Sequence, residues 1–113
     1  MKAFATFTHG YNGTTESYRI RFNSVASVLL KDVNWAFLSK TGDYIIVAPY
    51  RWQENGTFGI YHDNHNCAWL SANTIVKQNG SLSKSLFGKR YKVKRDKKGN
   101  VYICLNEEVP NDR

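Results

Sequence analysis

The chain is poor in the residues and patterns that most readily assign a function. It has two cysteines, two prolines and one methionine in 113 residues. Cys67 and Cys104 lie far apart and form no redox motif. No glycine-rich phosphate loop follows a strand, and no Gly-x-Ser-x-Gly nucleophile elbow is present. No apolar run is long enough to span a bilayer. The opening Met1-Lys2-Ala3-Phe4-Ala5 carries no signal-peptide core. These absences lead to the expectation of a soluble, cytoplasmic protein with reduced, buried thiols and no cofactor. Asn12-Gly13-Thr14, Asn55-Gly56-Thr57 and Asn79-Gly80-Ser81 match glycosylation sequons, and without an export signal they are read as turns.

What the chain does have is aromatic residues and positive charge. Three Trp, seven Tyr and six Phe support a packed core rather than disorder. The length fits one domain, taken as residues 1–106, with 107–113 as a flexible acidic tail. The net charge of +7 is concentrated: residues 77–98 hold nine basic side chains and one acidic one. General solubility would spread charge along the chain, whereas this clustering suggests a polyanion or an acidic partner.

Alternating apolar residues and Asn-Gly or Gly-Asp turns predict a mostly β fold, β-rich α+β. The expected form is a curled antiparallel sheet or small barrel built of successive hairpins, with one or two short helices. Strands are expected over 3–8 and 17–22, with a loop over 9–13 between them. Asn23-Ser24 is expected to cap a short helix through Val25, Val28 and Leu29, with a strand over 27–30 as the alternative. A hairpin over 35–48 turns at Lys40-Thr41-Gly42-Asp43, its apolar second strand central and covered on both faces, with Pro49 ending it. A second hairpin is expected around Glu54-Asn55-Gly56. Trp69-Leu70 and Thr74-Ile75-Val76 read as short strands, and 81–87 as one or two helical turns ended by Gly88.

The strongest functional signal is Gly88-Lys89-Arg90-Tyr91-Lys92-Val93-Lys94-Arg95-Asp96-Lys97-Lys98-Gly99-Asn100. A type I turn with Gly99 left-handed makes Asp96 face Asn100. Lys94 then faces Tyr102, Val93 faces Ile103, Lys92 faces Cys104 and Tyr91 faces Leu105. Side chains alternate along a strand, so Tyr91, Val93, Ile103 and Leu105 turn to the core. Arg90, Lys92, Lys94 and Tyr102 form a basic stripe with Cys104, extended at the tip by Lys97 and Lys98. Arg19 and Arg21 join it only if their strand presents the same face. Such a stripe can neutralise phosphates, a two-stranded ribbon is narrow enough for a major groove, and Tyr102 can stack on an unpaired base. The expected function is a non-catalytic module that binds DNA or RNA, or a nucleoprotein complex. The competing structural reading is an edge strand whose lysines prevent association, partly neutralised by Glu107 and Glu108 folding back.

Two further readings compete. A small basic protein can inhibit or regulate a partner by occluding its acidic surface, as small proteins of mobile elements often do. Tyr50, Arg51 and Trp52 would serve such a partner if exposed, although Trp35 and Trp52 are expected in the core. The other reading is a small metal-independent ribonuclease. His9, His62 and His65 are its candidate acids and bases, with Glu54 and a lysine beside them. His62, His65 and Cys67, with Asp63, also form a candidate metal set in one loop, with His9 or Cys104 as distant ligands. Zinc sites usually combine two separated ligand pairs, so a plain polar loop is the simpler reading and no metal is expected.

Overall fold

The computed structural model describes residues 2–78 and 82–110. Nine antiparallel strands form one curled, nearly closed sheet. They are β1 (Phe4–Asn12), β2 (Thr15–Phe22), β3 (Trp35–Thr41), β4 (Tyr44–Tyr50), β5 (Phe58–Gly59), β6 (Tyr61–His62), β7 (Ala68–Ser71), β8 (Lys89–Arg95) and β9 (Val101–Glu108). Their spatial order is β5-β3-β4-β9-β8-β1-β2-β7-β6. The two ends of that order, β5 and β6, are separated in the chain only by Ile60. A single extended segment therefore joins the ends of the sheet, and this brings it close to a closed barrel. Among the described residues no helix is long and apolar enough to cross a membrane.

Strand alternation builds the core. Ala5, Phe7, Tyr18, Ile20, Phe22, Ile45, Val47, Leu70, Tyr91, Val93, Val101 and Ile103 all turn inward and are buried. Phe7 packs edge-on against Tyr91 at 4.9 Å between centroids, and Phe87 caps both Phe7 and Tyr18. Asn23 caps α1 (Ser24–Ser27) as its sequence position implies. Its Oδ1 accepts from the Ala26 amide at 2.9 Å and from the Phe4 amide at 3.1 Å. The alternative strand over 27–30 is absent, because Val28–Leu30 continue α1 as a 3-10 turn. A second 3-10 turn, Lys84–Leu86, lies within the expected helical stretch before Gly88, whose φ is +89°.

Several local expectations are corrected. The predicted loop over His9–Gly13 is mostly strand, because the β1–β2 ladder continues to Asn12 opposite Thr15 and turns at Gly13, φ +68°. Pro49 does not end β4. It sits opposite Ala36, and the strand runs on to Tyr50. β4 is central, but its faces are covered unequally: Ile45 and Val47 are buried, whereas Tyr44, Ile46 and Ala48 on the other face are half-buried. The predicted hairpin around Glu54-Asn55-Gly56 does not pair with itself: β5 pairs with β3, and β6 pairs with β7. Closing the sheet satisfies more backbone than a local ribbon would. Thr74–Gln78 is a short π-helical segment rather than a strand. Cys104 is buried, Cys67 only half-buried, and both are free thiols. Asn12-Gly13 and Asn55-Gly56 are turns as expected, whereas Asn79-Gly80-Ser81 lies outside the described residues.

One end of the sheet is held by a charged cluster. Glu16 Oε2 lies 2.9 Å from His9 Nε2 and accepts the Tyr18 hydroxyl at 2.9 Å, while Lys84 Nζ lies 3.6 Å from Oε1. The Tyr18 bond, with the His9 bond and Lys84 behind it, holds the Glu16 carboxyl below its ordinary value. A carboxylate depressed on folding stabilises fully above its unfolded pKa and loses that contribution as pH falls through the folded one. The melting temperature is therefore expected to fall below about pH 5. Glu16→Gln is expected to flatten that acid limb in a melting series from neutral pH to about pH 3. An unchanged limb would assign it to Asp63 and Asp96, which their backbone hydrogen bonds also hold low against the opposing effect of burial.

Candidate nucleic-acid interface

The basic hairpin forms with nearly the register expected. Arg95 faces Val101, Lys94 faces Tyr102, Val93 faces Ile103 and Lys92 faces Cys104. Asp96 organises the tip: its amide donates to Asn100 O at 3.0 Å, and its Oδ1 accepts from the Lys98 and Asn100 amides at 2.9 Å each. Gly99 takes the left-handed conformation, φ +91°.

Below Lys92 the register breaks at a bulge, and Tyr91 faces Glu108 instead of Leu105. β9 carries extra residues at this point and runs on to Glu108, so Glu107 and Glu108 belong to the strand rather than to the tail expected from 107 onward. Glu107 lies 3.5 Å from Lys92, and Glu108 lies 3.8 Å from Lys89. Arg90 donates to Pro110 O at 2.8 Å. Part of the stripe is thus neutralised by the chain's own acidic end.

The edge-guard reading of this hairpin is corrected. β8 lies between β9 and β1, and β9 lies between β8 and β4, so both strands sit inside the sheet. Edge protection cannot account for their lysines.

Strand pairing also settles where Arg19 and Arg21 belong. Thr6 on β1 faces both Arg90 on β8 and Arg21 on β2. Directly paired residues share a face, so Arg19, Arg21, Arg90, Lys92, Lys94 and Tyr102 all lie on the outer face of four consecutive strands. Arg21 pairs with Asp63. Arg19 lies over the Trp69 ring at 4.2 Å, and Arg90 over Phe4 at 4.5 Å. Lys94 stands 5.0 Å from the centre of the Tyr44 ring. Lys97 and Lys98 are exposed at the tip.

Apart from Tyr102, charge counting on the sequence missed the rings among these cations. Trp69 on β7 stacks with Tyr61 on β6 at 4.7 Å, and Tyr44 meets Tyr102 edge-on at 5.7 Å. Pairing across strands distant in sequence creates these neighbours, so no local signal marks them.

The histidine loop is the turn between β6 and β7. The Asp63 amide donates to Cys67 O at 3.0 Å, and Asp63 Oδ1 accepts from the His65 and Cys67 amides. Those bonds, the Cys67 amide foremost, and nearby Arg21 keep the Asp63 carboxyl below its ordinary value. His62 Nε2 lies 2.8 Å from Val33 O. Among the described residues no group of three His, Cys, Asp or Glu could hold a metal.

The ribonuclease candidates are only partly brought together. His62 and His65 line an open cleft of about 660 Å³ with Lys31 and Asp32. His9 stacks on Tyr18 beside Glu16, in a different place, and Glu54 accepts from the Tyr50 hydroxyl at 3.1 Å.

Contrary to its expected core position, Trp52 is 63% exposed, beside exposed Arg51 and Tyr50. It lies in the loop after β4, where no inward-facing strand position is available to it. Trp35 is half-buried on β3.

No protein-family model, no curated protein and no solved structure matches this chain.

Proposed function

We propose that the chain is a non-catalytic binding module that contacts nucleic acid, alone or in a nucleoprotein complex, through the outer face of β2, β1, β8 and β9. One observation supports this most directly: the strand register gathers Arg19, Arg21, Arg90, Lys92, Lys94 and Tyr102 on one face. Such a face suits phosphates, whose neutralisation releases counterions and makes affinity fall with salt. The ion pairs with Glu107 and Glu108 are exposed, and exposed pairs of this kind are worth only about 0–1 kcal/mol. Phosphates can therefore displace those carboxylates.

The test is fluorescence anisotropy with labelled single- and double-stranded DNA and RNA at two salt concentrations. Binding that survives at physiological ionic strength and weakens steeply with added salt is expected. Absence of binding to all four ligands would end this reading.

A second reading has its own observation. Exposed Tyr50, Arg51 and Trp52 have the composition of a protein-binding hot spot. They support a regulator that occludes an acidic surface on a partner protein. That reading predicts a partner captured even after nuclease treatment and lost with Trp52→Ala. Capture abolished by nuclease would return the protein to the first reading.

A further inference from the structure

A duplex and a single strand make different demands on a basic face. A two-stranded ribbon can enter a major groove about 12 Å wide only if its flanks are free. Here they are not. β1 is paired to β8 from Phe7 opposite Lys89 to Phe4 opposite Lys92, and β4 is paired to β9 as far as Val47 opposite Val101. On the β4 side only the tip around Asp96–Asn100 projects beyond its neighbour, and on the β1 side, where pairing ends at Lys92, Lys94 and Arg95 project as well. The rest of the basic stripe lies on the convex outer surface of the curled sheet.

That surface alternates rings with cations. Passing along the strand order from β4 to β6, Tyr44 meets Tyr102, with Lys94 over Tyr44. Arg90 lies over Phe4, Arg19 lies over Trp69, and Trp69 stacks with Tyr61, which is 53% exposed. Six inter-strand steps separate β4 from β6, a path of about 29 Å at about 4.8 Å each, measured around the curled sheet. A duplex would use the cations and leave the rings idle, because its own bases are already stacked. An unpaired strand uses both, with phosphates on Lys and Arg and bases on rings or on guanidinium planes. The Arg19 and Arg90 guanidinium groups already lie over aromatic rings, which orders their side chains, and exposed Arg19 keeps donors for phosphate while Arg90 gives one to Pro110 O.

Resting on the nucleic-acid reading above, we infer that the ligand is single-stranded and runs across β9, β8, β1, β2 and β7. Its unpaired bases contact the Tyr44–Tyr102 pair at one end and the Arg19–Trp69–Tyr61 stack at the other. Small β-barrel domains accommodate about 4–16 nucleotides in this way.

The experiment compares an oligouridylate of about 12 nucleotides with a blunt RNA duplex of equal length, using the wild type, Tyr102→Leu, Trp69→Leu and Tyr61→Ala. Melting curves identify any variant that fails to fold. Tyr61→Ala alters the most exposed ring of the stack, so it remains interpretable if Trp69→Leu is unstable. Tighter binding of the single strand is expected, with about tenfold loss per ring variant and less than about twofold change on the duplex. Duplex binding as tight as single-strand binding, or ring variants without effect, would overturn the inference and leave the nucleic-acid reading standing. Wild-type protein that binds neither ligand would overturn both.

Discussion

Reversing two charges, Lys92→Glu with Lys94→Glu, is expected to weaken nucleic-acid binding by about 30-fold at about 0.15 M salt. Each phosphate contact contributes a slope of about 0.9 in log affinity against log salt, which amounts to about fivefold at that concentration. Two lost contacts multiply to roughly 30-fold, and repulsion from the new carboxylates adds to the loss. The salt slope should fall by about two. A control with Lys31→Glu and Lys40→Glu changes net charge equally but lies away from the face, on the β6–β7 cleft and on β3. Equal loss in the two double variants would mean that overall charge, and not this face, attracts the ligand. Stability is not expected to account for the result. Lys92 is exposed, its partner Glu107 lies 3.5 Å away, and such a pair is worth at most about 1 kcal/mol.

Phe7→Ala is expected to be the most destabilising single change proposed for this protein. Phe7 is fully buried and contacts both Phe87 and Tyr91. Removing a buried Phe costs about 3–5 kcal/mol, because the lost transfer energy is joined by the cavity left behind. That is a large share of the about 5–15 kcal/mol that holds a domain folded. At this chain length it corresponds to a fall in melting temperature of about 10–20 °C. Chemical denaturation with an unchanged m-value would confirm that the native state alone has been weakened. A cost under about 1 kcal/mol would mean that β1 and β8 can close over the gap, and that the contact of Phe7 with the 84–88 segment contributes little to holding the sheet.

The strand-period segments show how much was legible in the residues. Tyr18, Ile20 and Phe22 turn inward and Arg19 and Arg21 outward because alternation is a local property of extended backbone. The 96–100 turn was equally readable, since Gly99 and Asp96 have the chemistry that turn requires. Four pairs of the β8–β9 register follow from it by counting. Asn23 marked the start of α1 for the same reason, a short side chain satisfying a free amide. The concentration of charge between residues 77 and 98 needed no structure at all.

Wherever a distant segment competed with a local partner, the sequence did not suffice. The residues around Asn55-Gly56 carry a hairpin signal, yet 58–62 pairs with β3 and β7 instead, because closing the sheet satisfies edges that a small hairpin would leave open. The bulge at Tyr91–Lys92 could not be counted from the turn, and it brings Glu107 and Glu108 onto the lysines. The position of β8 between β9 and β1 is likewise a tertiary fact, as is the union of Arg21 with Arg90 across Thr6. The residues alone determined which side chains are basic, which alternate and where the chain turns, since those depend on neighbours a few positions away. The tertiary structure alone decided that the basic residues form one face threaded with rings. The cause is lateral pairing between strands far apart in the chain, and no local pattern encodes which strands will meet.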